Sequence, residues 1–240
     1  MTLPQRSTNT PAAVSPRANA PAGGAVSRIL PFAAYIAFIA IADALSWLGV
    51  SERDLRWLYP IKIAVVVALL LTFRRAYSEL ARPRMSMRCA ALSAAVGVAV
   101  LVLWINLNAG WMQIGASAGY DPRNDTGGID WLLVAIRLAG AALVVPVMEE
   151  LFWRSFLLRW LEERDFLSVD AARVGMRSVL VTVVLFGIEH NLWLAGIVAG
   201  AAYSWLYMRT RNLWSPILAH AITNGLLGVW VIQTASWTYW

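Results

Sequence analysis

Seven apolar runs follow one another between Ile29 and Ile232, at about 29–50, 57–73, 89–106, 131–158, 178–190, 192–208 and 213–232. Runs of this length suit helices in lipid, where every backbone polar group must be satisfied within the segment. Strands of a transmembrane barrel would alternate polar and apolar residues, and that alternation is missing. With 59% hydrophobic and 14% charged residues, the chain is too apolar for a soluble domain of 240 residues. The expected fold class is all-α, a polytopic transmembrane helical bundle of about seven spans in the lipid bilayer.

Residues 1–27 hold Pro4, Pro11, Pro16 and Pro21 among Ala, Ser, Thr and Asn, and read as a disordered cytoplasmic tail. Residues 28–240 read as a single transmembrane domain. The stretch 179–208 would be ~45 Å long as one helix, so two short helices with a break near His190 and Asn191 are expected. With that split, Arg6, Arg17 and Arg28, the arginines of 74–88, those of 159–177, and Arg209 with Arg211 all fall on one side. The positive-inside rule then places the amino terminus in the cytoplasm and the carboxyl terminus outside. The net charge of +6 is explained by this clustering and forms no single basic stripe, so no nucleic acid partner is expected. Several of the 13 tryptophans, among them Trp104, Trp131, Trp160 and Trp214, fall near span ends, as interface anchors do. Cys89 stands alone, which excludes an intrachain disulfide and a cysteine-based metal cluster.

Charges inside such spans are expensive and default to a functional reading. Glu149, Glu150 and Arg154 share the fourth span, and the two histidines of the chain, His190 and His220, also lie in apolar segments. Counted from the cytoplasmic ends, Glu149, His190 and His220 sit roughly 13, 18 and 10 Å deep, so three helices contribute to one layer. Glu150 can pair with Arg154 four residues on, which leaves Glu149 to face a cavity as a general base. His190 could orient the same water, and His220 with Asn224, one turn apart, would suit a developing oxyanion. Glu189 reads first as a helix-break or interface residue and only second as another base.

Other readings compete at these residues. A Glu150–Arg154 pair can be a structural clamp, a buried histidine a packing residue, and Asn224 interhelical glue. Two histidines and a glutamate also form a recognised zinc set, so Glu149, His190 and His220 are alternative zinc ligands, although HExxH is absent and a metal-free site is favoured. The peptidase hypothesis places a wet cavity open toward the cytoplasm; the alternatives are a non-catalytic membrane scaffold or immunity protein and a small-solute transporter. Gly196 and Gly200, four apart, are expected to let the sixth span pack closely inside the bundle.

Three motifs occur in order, each on an apolar segment: EExxxR at Glu149–Arg154, FxxxH at Phe186–His190 and HxxxN at His220–Asn224. With these the chain resembles the CPBP family, intramembrane proteases that include type II CAAX prenyl endopeptidases and bacteriocin-processing and immunity relatives. The resemblance covers roughly 130 to 230 and marks 130–232 as a protease core. It implies a glutamate-dependent peptidase acting on a membrane protein or peptide, in which Glu149 and His190 activate water, His220 and Asn224 hold the oxyanion, and Glu150 and Arg154 support them. Relatives have also been described as metalloproteases, which keeps zinc among the alternatives. Pro31-Phe32 and Tyr59-Pro60-Ile61-Lys62 look like the bacterial branch associated with exosortase surface-sorting systems. That implies a bacterial inner-membrane location and a link to surface protein sorting.

Overall fold

The computed structural model of the chain describes residues 23–81, 85–115, 117, 119–124 and 127–240. Among them no strand forms, and one isolated antiparallel bridge joins Arg123 and Ile129. Seven principal helices make the bundle: α1 (Gly23–Trp47), α2 (Leu58–Thr72), α3 (Met87–Asn106), α4 (Trp131–Trp160), α5 (Met176–Ile188), α6 (Trp193–Thr210) and α7 (Trp214–Thr234). Five stretches are long and apolar enough to cross a membrane: α1, Glu52–Thr72 with α2, α3, α4 and α7. Large side chains such as Val102, Leu132, Leu143, Leu180, Val184 and Val229 point outward, exposed, as lipid-facing residues do. The protein is an integral membrane helical bundle.

Local chemistry sets the helix ends. Ser86 caps α3 by accepting from the Cys89 amide at 3.2 Å, and Asp130 caps α4 by accepting from the Leu132 and Leu133 amides at 3.1 Å. The stretch 179–208 is two helices, interrupted at 189–192. They pack closely because glycines face each other. A Cβ on Gly196 would stand 3.0 Å from the Gly187 Cα, and one on Gly200 would stand 3.2 Å from the Phe186 ring.

α4 is not a uniform α-helix. Gly140–Val144 and Leu151–Leu157 are π-helical, and the six-residue α segment Val145–Glu150 between them carries both glutamates. Pro146 gives a reason for the first interruption: it lacks an amide hydrogen, and its ring crowds the carbonyl four residues back, so the wider π turn relieves the clash.

The amino-terminal reading needs correction. Residues 23–27, taken as tail, are the first turns of α1, and residues 1–22 lie outside the described residues. Arg82 and Arg84, counted among the arginines of 74–88, lie outside them too. Arg28 and Arg159, counted as loop charges, are buried instead. Arg28 Nε donates to Glu79 Oε1 at 3.0 Å and Ser155 Oγ at 3.1 Å, and its Nη2 to the Ala76 carbonyl at 3.0 Å. Arg159 donates to Glu79 Oε1 at 2.8 Å and to the Ser155 carbonyl at 2.7 Å. Glu79 also accepts from the Ser155 hydroxyl. Burial pushes the Glu79 carboxyl up, but the hydrogen bonds and charge of Arg28, with the Ser155 hydroxyl, hold it below the usual carboxylate range. These residues close the bundle at the end that carries the arginine-rich loops.

Candidate active site

Glu149 and Glu150 are adjacent on α4, so their side chains diverge by about 100° around the helix. Both are buried, at 5% and 0% exposure. Glu150 turns into the protein, where Oε1 accepts from Arg154 Nη1 at 3.1 Å and contacts His220 Nδ1 at 3.0 Å. Arg154 is fully buried, donates Nη2 to the Gly200 carbonyl at 3.3 Å, and stacks over the Phe186 ring at 4.3 Å. Glu150 thus serves two partners where the sequence suggested one. Glu149 instead lines a cavity of about 190 Å³ together with His190, His220 and Asn224. Its Oε2 has no hydrogen-bond partner in the protein.

Each remaining group in the cavity is held by one atom and leaves another free. His190 Nδ1 lies 2.7 Å from the Phe186 carbonyl. A carbonyl can only accept, so this nitrogen carries a hydrogen and Nε2 is left for the cavity. His220 is fixed the same way by Glu150, and its ring stacks on Tyr203 at 5.0 Å. Tyr203 in turn donates to Thr223 Oγ1 at 2.8 Å, which donates to the Gly97 carbonyl at 2.8 Å. Asn224 Nδ2 donates to the Ala141 carbonyl at 3.0 Å, an oxygen inside the first π-helical stretch of α4. One amide hydrogen and Oδ1 of Asn224 stay available. Trp104 meets His190 edge-on at 5.3 Å. Glu189, at the end of α5, is close enough to Glu149 for their charges to interact, but it does not line the cavity.

The direction of the cavity differs from the expectation of one open toward the arginine-rich loops. Tyr59 and Arg137 in the first turns of α2 and α4, Trp104 in the last turn of α3, and Tyr239 and Trp240 at the carboxyl terminus line it. All of these lie toward the opposite end of the bundle from Arg28 and Glu79. The Arg28 network fills the loop-rich end, so the space above Glu149 extends the other way.

Among the described residues no group of three or more His, Cys, Asp or Glu stands together as a metal site requires, and this includes Glu149, His190 and His220. Several contributors had no signal in the sequence. Tyr203, Thr223 and Trp104 act through packing and hydrogen bonding between distant helices, which no local spacing reports.

Fold and site together define a class, a polytopic helical membrane protein with a buried cavity set with glutamate, histidine and asparagine. Residues 131–226 match the family model of the type II CAAX prenyl endopeptidase Rce1-like proteins. A relative in Bacillus subtilis (strain 168), "Putative membrane peptidase YdiL", is 28% identical over 94 residues, covering 38% of this chain. The match spans about a third of that relative's length, 35%. No solved structure matches the chain.

Proposed function

We propose that the protein is an intramembrane endopeptidase that hydrolyses a peptide bond of a membrane-associated protein or peptide in this cavity. The observation that carries the reading is the convergence of Glu149, His190, His220 and Asn224, from α4, the α5–α6 break and α7, on one space large enough for several waters. The family match of the same segment supports it.

In this reading a water sits between the Glu149 carboxylate and His190 Nε2. Glu149 takes its proton as the oxygen attacks the carbonyl carbon, and the carbonyl oxygen becomes an oxyanion. His220, anchored through Nδ1 on Glu150, turns Nε2 toward that oxyanion, and Asn224 presents its second amide hydrogen to it. The proton held by Glu149 then passes to the leaving amine as the carbon–nitrogen bond breaks. Arg154 holds the Glu150 carboxyl in place, so the His220 ring does not rotate out of line.

With the arginine-rich loops in the cytoplasm, the substrate segment enters from the outer half of the bilayer. A protein on its way to the surface, as a sorting-system link expects, would present its segment from that side. Comparing membrane peptides in cells that carry wild-type protein and Glu149→Gln tests the function. Peptides that accumulate cleaved only with the wild type are the expected result, and identical peptide sets overturn the reading. Chelator-treated, metal-free protein should keep its activity; loss that zinc restores would replace the carboxylate mechanism with a zinc one.

A further inference from the structure

A second cavity, of about 430 Å³, adjoins the first and shares Tyr59 and Arg137 with it. Arg137 stands where they meet, and Lys62 lines the second cavity. Lys62 is the only lysine of the chain, lies on α2, and is 8% exposed. Its Nζ sits 3.9 Å from the Tyr35 ring centre and 5.0 Å from that of Tyr59. Arg137, on α4, lies over Tyr59 at 4.3 Å and Tyr120 at 5.2 Å, and its Nε has no hydrogen-bond partner. Neither cation forms an ion pair among the described residues. Asp43, Glu52 and Asp121 line the outer part of the second cavity, yet Asp121 is taken by Arg123.

This arrangement differs from that of the buried arginines Arg28, Arg154 and Arg159, each of which has a carboxylate within hydrogen-bond distance. Aromatic faces stabilise a cation only partly and leave its N–H donors unused. Two such cations, which share the Tyr59 ring and line one cavity, are complementary to an anion with two oxygens. Arg137 stands 12 positions before Glu149 on α4, a rise of ~18 Å, which about five residues of extended peptide would bridge.

We propose that Lys62 and Arg137 form a carboxylate-binding subsite of the substrate channel, which selects peptides carrying an Asp or Glu side chain about five residues from the cleaved bond. The proposal rests on the peptidase reading for its direction, but binding tests it separately. A peptide carboxylate is favoured over a lipid phosphate because the subsite shares its wall with the cavity of Glu149, where a peptide must lie.

The test uses full-length Glu149→Gln protein in phosphatidylcholine vesicles and synthetic peptides of one apolar helix with a short flank, in which one Asp is scanned against Asn. Fluorescence anisotropy should show about tenfold tighter binding for Asp at one or two adjacent flank positions. Adding Lys62→Gln or Arg137→Gln should remove that preference and leave the binding of the Asn peptides unchanged. Lys62→Arg, which keeps the charge, should retain it and guards against a folding defect. Equal binding of Asp and Asn peptides, or a preference that survives both Gln variants, overturns the proposal. Competition by phosphatidylglycerol or inorganic phosphate without any Asp preference overturns it in favour of a phosphate site. If Asp-dependent binding is found but wild-type protein cleaves none of these peptides and no cellular one, the subsite stands and the peptidase reading falls.

Discussion

Two buried charged clusters meet on α4, one through Ser155 and Arg159 and the other through Glu149 and Glu150, and they are built on different principles. In the Arg28–Glu79–Ser155–Arg159 cluster the side chains satisfy one another: both arginines reach Glu79 and Ser155, Arg28 also reaches the Gly24 and Ala76 carbonyls, and Arg159 reaches the Ser155 carbonyl. Around Glu149 the opposite holds. Glu149 Oε2, Glu150 Oε2, Trp153 Nε1, Arg154 Nε and Glu189 Oε2 are buried without a protein partner, and both histidines keep Nε2 free. A satisfied cluster gains nothing from an incoming molecule. One that lines a cavity with the unpartnered Glu149 carboxyl and two imidazoles holds a site ready for water and substrate, at some expense in stability.

This contrast predicts which change hurts what. Glu79→Ala should give the largest effect on folding, about 3–5 kcal/mol, because it strands two buried guanidinium groups. Chemical or thermal unfolding in detergent measures it, and a loss under 1 kcal/mol would break the contrast from the structural side. His220→Ala should lower the rate of cleavage of a cellular substrate by about a hundredfold or more with little change in melting. A variant that melts far lower but cleaves normally when folded would recast His220 as a packing residue. Asn224→Ala should be milder, about tenfold in rate, since it supplies one hydrogen bond. Last, the depressed Glu79 carboxyl contributes stability that is complete above its unfolded value of about 4.3 and is lost as pH falls through its lower folded value. Melting temperature should therefore fall below about pH 4.3, and Glu79→Gln should flatten that dependence.

The sequence carried much of the architecture and less of the site's detail. Apolar run lengths give helices because lipid leaves the backbone no other choice, and the break near His190 follows from a stretch too long for one span and too short for two. The spacing of Glu150 and Arg154 announces their contact, since four residues is one helical turn. What was hidden depends on partners remote in sequence. Arg28 looks like any arginine at a span end until Glu79 folds over it. The exit direction of the cavity depends on that same network, so counting depth from the loops could bring Glu149, His190 and His220 to one level but could not say which end stays open. The π-helical stretches of α4 were likewise unannounced, although Pro146 offered a hint.

The division of labour between the two clusters meets its most direct test in Glu149→Gln, measured for melting and for cleavage in the same preparation. The account predicts a melting temperature within a few degrees of wild type, because the replaced oxygen has no partner to lose, and a fall in cleavage rate of about a hundredfold or more, as expected when a general base is removed. Wild-type cleavage by the folded variant, or a collapse in melting like that expected of Glu79→Ala, would contradict it.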